Sequence, residues 1–248
     1  MKISVQNLFF GYTGKQLFNN VNAELDGGPL LILGPSGSGK TTLLKLLGGL
    51  LKPQGGEIRF SEIEKTGTET ESAIPKIAFM FQEPRLLPWL TVLENVSLPL
   101  EKIFDKEEGR KRARDFLFLV SLGEKEAAYP AELSGGEAQR VSMARAFAWP
   151  ARALFMDEPF QSLDIPLRIN LMDLTLSLLS MEKRLVLAVT HDPREAVYMG
   201  KRIIIFGKPG EGIVFDKNVN LGNEDKSYGS AAGLEMEKEI IEYLGKRD

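Results

Sequence analysis

The 248-residue sequence contains no cysteine and a single histidine, His191. The absence of cysteine excludes disulfides and thiol chemistry, and it fits a reducing compartment. One histidine excludes a metal site built from several histidines. Lysine and arginine number 31 against 34 acidic residues, for a net charge of −3. The sequence therefore lacks the basic excess that drives non-specific nucleic-acid binding, and we expect no nucleic-acid partner.

Long apolar runs are missing as well. No stretch of the sequence approaches the roughly 18 apolar residues of a membrane-spanning helix. The N-terminus lacks the apolar segment of a signal peptide. If the protein works at a membrane, we expect another chain to hold it there.

Short apolar runs alternate with stretches of helical spacing, which is typical of α/β folds. Several runs are apolar throughout, as strands buried on both faces require. The predicted strands are Ile3–Phe9, Leu30–Leu33, Ile77–Phe81, Ala153–Met156, Leu185–Thr190 and Arg202–Phe206. The predicted helices are one that follows Lys40 and others over Glu107–Leu122, Gly135–Ala148, Pro166–Met181 and Leu234–Leu244. Polar composition predicts loops over Thr66–Ser72 and Asp216–Ala232.

The strand signal is weak from about Pro84 to Ala148. We interpret residues 84–148 as a helical subdomain inserted into a single domain, whose α/β core comprises residues 1–83 and 149–215. Residues 216–248 are interpreted as a C-terminal tail that ends in a closing helix.

One glycine-rich segment has the spacing of a phosphate-binding loop, G-x-x-x-x-G-K-[ST], between a predicted strand and a leucine-rich helix. Its residues are Gly34, Pro35, Ser36, Gly37, Ser38, Gly39, Lys40 and Thr41, followed by Thr42. Glycines let backbone N–H groups turn toward phosphate oxygens, and the helix adds its positive N-terminal end. Lys40 can reach the β- and γ-phosphates, and the Thr41 hydroxyl can ligate Mg²⁺. The alternative, a chance glycine-rich loop, arises in on the order of one chain in a hundred.

A pair of acids follows the buried run Ala153–Met156. Open α/β sheets bind ligands at the carboxyl ends of their strands, so Asp157 can hold Mg²⁺ directly or through water. Glu158 can orient and deprotonate a water that attacks the γ-phosphate. Acids often begin ordinary loops, so this interpretation depends on the phosphate loop in the same chain.

Two glycines open the predicted helix that follows Ser134. Ser134 and Glu137 have the spacing of a capping box. That interpretation leaves Gly135 and Gly136 in the first turn, where each costs about 1 kcal/mol relative to alanine. Bare backbone at a positively polarised helix end suits a phosphate.

The run Leu133–Gln139 resembles the L-S-G-G-x-x-Q signature of ABC ATPases. With the phosphate loop and the acid pair in the same order, the resemblance spans roughly residues 1–215. It implies a P-loop NTPase core with a mixed or parallel sheet, N-terminal antiparallel strands and an inserted helical subdomain. It also implies a head-to-tail dimer, in which Ser134, Gly135 and Gly136 of one copy cap the ATP held by the other copy's phosphate loop.

The resemblance assigns roles to further residues. Tyr12 stacks on adenine, although a tyrosine can equally pack on the protein. Gln82 contacts Mg²⁺ and the attacking water. His191 contacts the γ-phosphate, whereas a lone histidine is more often structural. Asp164 belongs to the D-loop, Ser162–Asp164, at the dimer interface, and relatives often carry serine where Gln161 stands.

A loop between two prolines, Pro84–Leu90, contains leucines and a tryptophan. Proline keeps it out of helix and strand, so its apolar side chains form either a docking surface or a loop packed on its own core. The residues of this loop, together with Asn95, resemble the same region in ATPase subunits of nitrate, sulfonate, taurine and thiamine-precursor importers. This implies that a permease docks near Gln82–Leu98 and holds the chain at the cytoplasmic face of the cell membrane, with a solute-binding protein acting indirectly.

Other functions are compatible with part of the same sequence pattern. A soluble, non-transport ABC ATPase acting on a macromolecular partner and an ABC exporter subunit stay open. A P-loop kinase or GTPase lacks the signature, and a non-hydrolysing regulatory module would not need Lys40, Glu158 and His191 together. The expected function is ATP hydrolysis coupled to import of a small solute.

Overall fold

The computed structural model describes residues 1–63, 69–72, 75–161, 163–181, 184–222, 224–226 and 229–245. The chain divides into two compact units, residues 1–77 with 184–248 and residues 78–183. We refer to them as the first and second unit.

Strands and helices alternate along most of the chain. The strands are β1 (Lys2–Tyr12), β2 (Lys15–Leu25), β3 (Leu30–Leu33), β4 (Gly55–Ile63), β5 (Glu69–Ser72), β6 (Ile77–Met80), β7 (Ala153–Asp157), β8 (Leu185–Val189), β9 (Arg202–Phe206) and β10 (Ile213–Asn218). The helices are α1 (Lys40–Leu47), α2 (Val92–Ser97), α3 (Lys106–Leu119), α4 (Gly135–Ala148), α5 (Ile165–Met181), α6 (Pro193–Met199) and α7 (Ala231–Gly245). Short 3-10 helices occur at Leu98–Lys102, Gly123–Lys125 and Pro130–Glu132.

The first unit contains an antiparallel sheet of order β2-β1-β4-β5. Along β1, Ile3, Val5, Leu8 and Phe10 are buried. The period-2 pattern shifts after Val5, where the pairing with β2 is irregular and Asn7 takes a positive φ of 49°. The extra residue keeps apolar side chains buried on both sides of the bulge. These are the N-terminal antiparallel strands that the resemblance implies.

Four further strands of the first unit lie in the order β10-β9-β3-β8. β3 runs parallel to both β8 and β9, and β10 closes the edge antiparallel to β9. Every residue of β3 and β8 is buried, as expected for strands covered on both faces. Because β3 and β8 are parallel neighbours, the segments after Leu33 and after Val189 begin at the same edge of the sheet.

The second unit contains the neighbouring strands β6 and β7 and the helices α2 to α5. Phe79 of β6 stacks on Phe81 and meets Phe155 of β7 edge-on, with centroids 5.7 Å apart. Residues 84–148, all of them described, form helices and turns without any strand. Across the described residues, no helix combines the length and apolarity needed to cross a membrane.

Two predicted loops are partly wrong. Glu69–Ser72, predicted within the loop Thr66–Ser72, forms β5 and pairs with β4, while residues 64–68 lie outside the described part of the chain. β10 continues through Asp216 to Asn218, where a loop was predicted, and α7 begins at Ala231. Both strands lie at sheet edges, where backbone pairing does not require the apolar side chains that signal a central strand.

Candidate functional site

The phosphate loop has the predicted strand–loop–helix context between β3 and α1. Gly39 precedes the helix with a φ of 100°, which side chains rarely adopt, and a Cβ there would lie 2.8 Å from the Phe18 ring. A Cβ on Gly34 would lie 2.6 Å from the carbonyl oxygen of Phe206. Neighbouring backbone and side chains thus require glycine at both ends of the loop.

The interior of the loop suits a bound anion. Lys40 is only 8% exposed, and its Nζ donates hydrogen bonds to the carbonyl oxygens of Gly34 and Pro35 at 2.7 and 3.1 Å. Ser38 Oγ is buried and has no hydrogen-bond partner among the described residues. A buried hydroxyl without a partner is costly, whereas a phosphate oxygen would satisfy it. A buried ammonium beside it adds the charge that phosphate requires. Thr41 and Thr42 lie in the first turn of α1.

The turn that carries His191 is organised by polar side chains of the first unit. The Thr190 backbone N–H donates to the carbonyl oxygen of Ile32 at 3.1 Å, which ties this turn to the strand before the phosphate loop. The Thr190 hydroxyl donates to the buried Glu195 carboxylate and accepts from the Asp192 backbone N–H at 3.1 Å. Asp192 in turn caps α6. His191 itself is exposed at the sheet edge where the phosphate loop begins.

Tyr12 ends β1 with half of its surface, 51%, exposed. Its ring meets Phe10 edge-to-face at 5.3 Å, so packing on the protein and an accessible ring coexist. Lys15, the residue paired with Tyr12 across the hairpin, was not predicted as a site residue. Its Nζ lies 3.0 Å from the position that a Cβ on Gly37 would occupy. Only the hairpin register brings this cation over the phosphate loop.

The acid pair lies at the end of β7 in the second unit. Asp157 is 6% exposed. Glu158 has a φ of 46°, a left-handed conformation that is uncommon for a residue with a side chain and is found most often at functional positions. Gln139 of α4 donates through Nε2 to the carbonyl oxygen of Pro159 at 2.6 Å. The signature segment thereby anchors the turn that carries both acids, a role the sequence did not indicate.

The same turn reaches Gln82. The Gln161 backbone N–H donates to the carbonyl oxygen of Glu158 at 3.3 Å, and Gln82 Nε2 donates to Gln161 Oε1. Asp164 accepts from the Leu167 backbone N–H at 2.9 Å at the start of α5. Ser162, predicted as part of the D-loop, lies outside the described residues.

The signature segment forms the capping box that the sequence predicts. The Ser134 hydroxyl accepts from the Glu137 backbone N–H at 3.3 Å, and Glu137 Oε2 accepts from the Ser134 backbone N–H at 2.9 Å. The two glycines differ in surroundings. A Cβ on Gly136 would lie 2.6 Å from Leu167 Cδ2, whereas a Cβ on Gly135 would meet none of the described residues within 4 Å. A side chain at position 136 would therefore displace the tip of Leu167, while Gly135 leaves backbone open to solvent.

Glu137 should make the capping box sensitive to acid. The Lys125 ammonium, and next the Ser134 backbone N–H, lower the pKa of Glu137 from 4.5 to about 2. A lowered folded-state pKa contributes stability above pH 4.5, and this contribution is lost as the pH falls toward 2. In urea titrations, the stability advantage of wild type over Glu137→Gln should therefore shrink between pH 5 and pH 3. An advantage that does not change with pH would contradict this assignment.

The loop Pro84–Leu90 is held by two polar side chains. Asn95, 2% exposed, accepts from the Leu87 backbone N–H at 2.7 Å and donates to the carbonyl oxygens of Leu87, Leu90 and Thr91. Arg145 of α4 donates to the carbonyl oxygens of Pro84 and Arg85 at 2.6 and 2.9 Å, and burial lowers its pKa. With its backbone fixed in this way, the loop leaves Trp89 69% exposed.

Comparison with known proteins identifies the family. The ABC transporter profile matches residues 18–161. The chain belongs to the ABC transporter family. The SsuB aliphatic sulfonates import ATP-binding protein of Bacillus anthracis is 39% identical over 210 residues, 84% of this chain and 81% of the relative. SsuB 1 of Xanthomonas axonopodis pv. citri is 40% identical over 200 residues, 79% and 77% of the two chains.

Solved structures of ABC cassettes share the fold. The cassette MJ0796, in a dimeric post-hydrolysis state bound to ADP and phosphate, superposes with a TM-score of 0.74 at 32% identity, covering 89% of this chain and all of that one. The recognised family and the P-loop fold class are confirmed. As a member of the ABC transporter family, the chain is an ATP-binding protein and an ABC-type ATPase.

Each unit contains part of the predicted site. The first unit contains Tyr12, the phosphate loop Gly34–Thr42 and His191. The second unit contains Gln82, Ser134, Gly135, Gly136, Asp157, Glu158 and Asp164. The individual roles of these residues stay predictions.

Proposed function

We propose that the chain hydrolyses ATP to power a membrane importer of a small solute. ATP binding is supported by the loop of Ser38 and Lys40, where two buried groups share one glycine-rich turn. One is a hydroxyl with no hydrogen-bond partner among the described residues, and the other is an ammonium. Triphosphate oxygens satisfy both groups. Tyr12 offers an exposed ring for adenine.

Thr41, Asp157 and Gln82 are the residues that would hold Mg²⁺, since hydroxyl, carboxylate and amide oxygens are the ligands this ion prefers. When bound, the ion neutralises charge on the phosphate oxygens. Glu158 takes a proton from the attacking water, and its strained backbone points to a carboxylate held for function. His191 donates a hydrogen bond to the γ-phosphate from the sheet edge beside the loop.

The second element of the proposal is a head-to-tail pair of chains. Ser134 and Gly135 are exposed at the N-terminus of α4, which is the positive end of this helix. In the pair, this end of one copy completes the ATP site of the other, so phosphate release removes a shared ligand and the pair opens. Dimeric cassettes among the relatives support this arrangement.

The third element is a permease that binds the segment Gln82–Leu98. Trp89 is exposed on the loop Pro84–Leu90, whose backbone is already fixed by Asn95 and Arg145. Little backbone entropy is therefore lost when a partner binds over Trp89. The permease would hold the chain at the cytoplasmic face of the membrane. Aliphatic sulfonates are our first candidates for the transported solute, because relatives at 39% and 40% identity are named for them. Nitrate, taurine and thiamine precursors follow.

Replacing Trp89 by alanine should weaken binding of the permease. An exposed aromatic anchor at an interface is typically worth 2 kcal/mol or more, so recovery of the chain with its permease should fall roughly 10-fold or further. The free energy of unfolding should change by less than about 0.5 kcal/mol, because the ring is mostly exposed. The assay is co-purification from detergent-solubilised membranes, with urea titration of each variant.

Phe118→Ala supplies the matched control. Phe118 is 77% exposed on α3 in the same unit, and its loss should leave permease recovery at the wild-type level. Equal recovery of Trp89→Ala and wild type would contradict the docking proposal. Recovery with ribosomes or a soluble complex in place of a permease would favour the non-transport alternative, and solute efflux from vesicles would favour an exporter.

A further inference from the structure

The side chain of Gln161 contacts a residue of the proposed site. Gln82 Nε2 donates a hydrogen bond to Gln161 Oε1. Gln82 follows β6, Gln161 follows β7, and these strands are neighbours within the second unit.

The direction of this hydrogen bond determines which atom of the Gln82 amide, the oxygen or the nitrogen, is left to bind Mg²⁺ or water. A primary amide has a carbonyl oxygen, which can accept hydrogen bonds and ligate Mg²⁺, and an NH₂ group, which only donates. Gln82 directs its NH₂ group to Gln161. Its carbonyl oxygen is therefore the atom that points away from Gln161 and can act as a ligand. A rotation of the amide by half a turn would exchange the two and present the NH₂ group, which no cation accepts as a ligand.

Gln161 is itself fixed in the turn that carries the acids. Its backbone N–H donates to the carbonyl oxygen of Glu158 at 3.3 Å. Gln139 of α4 donates to the carbonyl oxygen of Pro159 in the same turn at 2.6 Å. One short turn thus sets the positions of Glu158 and of the acceptor for Gln82, and the signature helix anchors that turn.

We propose that Gln161 is a positioning residue, which accepts the hydrogen bond from the Gln82 amide and so keeps its carbonyl oxygen toward Mg²⁺ and the attacking water. The inference rests on the proposed function, in which Gln82 acts on both. In this role Gln161 acts through Gln82. The expected consequence is a coupling between position 161 and the part of ATP affinity that depends on the metal.

The test uses the full chain and two variants of similar side-chain size. Gln161→Met removes the acceptor, and Gln161→Glu retains acceptor oxygens. Fluorescence titration with mant-ATP measures the dissociation constant in Mg²⁺ and in EDTA, and the ratio reports the affinity gained from the metal. Gln161→Met should lower this ratio roughly 2- to 10-fold, the range for one hydrogen bond, with the EDTA value unchanged. Gln161→Glu should retain the ratio.

A double-mutant comparison separates this inference from the proposed function. Gln82→Ala should lower the ratio, and Gln82→Ala/Gln161→Met should lower it no further, because the acceptor then has nothing to position. Gln6→Met, at an exposed glutamine of β1, is the control and should match wild type. A wild-type ratio for Gln161→Met beside an impaired Gln82→Ala would overturn this inference alone. A wild-type ratio for Gln82→Ala would overturn both, and additive losses in the double variant would overturn the positioning role.

Discussion

Glu158→Gln is expected to lower the turnover rate by roughly 10²- to 10⁴-fold, the usual contribution of a general base. ATP binding should persist, because the change leaves the phosphate loop and Lys40 untouched. Without hydrolysis, the ATP-bound pair should accumulate in the closed state. Steady-state phosphate release and light scattering with Mg²⁺ and ATP measure the two effects.

The substitution tests chemistry rather than folding. Glu158 holds a φ of 46°, and glutamine, which is also unbranched at Cβ, meets the same backbone restriction. The free energy of unfolding should therefore change little. Glu101→Gln, at an exposed glutamate of the same unit, should keep wild-type turnover. An unimpaired rate for Glu158→Gln would refute the assignment of Glu158 as the base.

Gly135→Asp is expected to separate stability from function. A Cβ at position 135 meets no atom of the described residues within 4 Å, and the position opens α4, where a carboxylate interacts favourably with the helix end. The nucleotide-free chain should therefore unfold at the wild-type temperature or above it. In the proposed pair, however, this carboxylate would face the partner's γ-phosphate. Repulsion between this carboxylate and the phosphate should lower turnover by about 10²-fold or more.

Two comparisons make this prediction specific. Gly136→Asp should be less stable than Gly135→Asp, because its Cβ would lie 2.6 Å from Leu167 Cδ2 and this side-chain tip would have to move. Gly245→Asp, where a Cβ also meets none of the described residues within 4 Å, should leave turnover unchanged. Thermal unfolding without nucleotide and steady-state turnover are measured for each. Wild-type turnover for Gly135→Asp would place the signature outside the ATP site.

The central strands were predictable because burial on both faces leaves a distinct trace in the sequence. β3, β7 and β8 are apolar almost throughout, and their predicted bounds match to within a residue. β2, β4, β5 and β10 were missed, and three of these four lie at sheet edges, where strands can pair through the backbone with polar side chains. The sequence pattern therefore predicts which strands are buried on both faces, but it does not predict which polar segments pair as strands.

The residues of the candidate site could be predicted from local sequence motifs, but the contacts that hold them in place could not. The phosphate loop and the capping box of Ser134 and Glu137 each lie within a short segment of the sequence, so residue spacing alone indicates them. Arg145 donates to a carbonyl oxygen 61 positions earlier in the chain, and Gln139 donates to one 20 positions later. Such bonds depend on how helices and strands come together, which no local pattern encodes.

Sharing of one ATP between two copies is tested most directly by disulfide cross-linking, because the chain has no cysteine of its own. Ser36 in the phosphate loop and Gly135 in the signature are both exposed, and a disulfide requires Cα atoms within roughly 7 Å of each other. With ATP and oxidant, the double variant Ser36→Cys/Gly135→Cys should form covalent dimers, and each single variant should form none. No cross-linking in the double variant, with hydrolysis undiminished in a strictly monomeric sample, would contradict the arrangement.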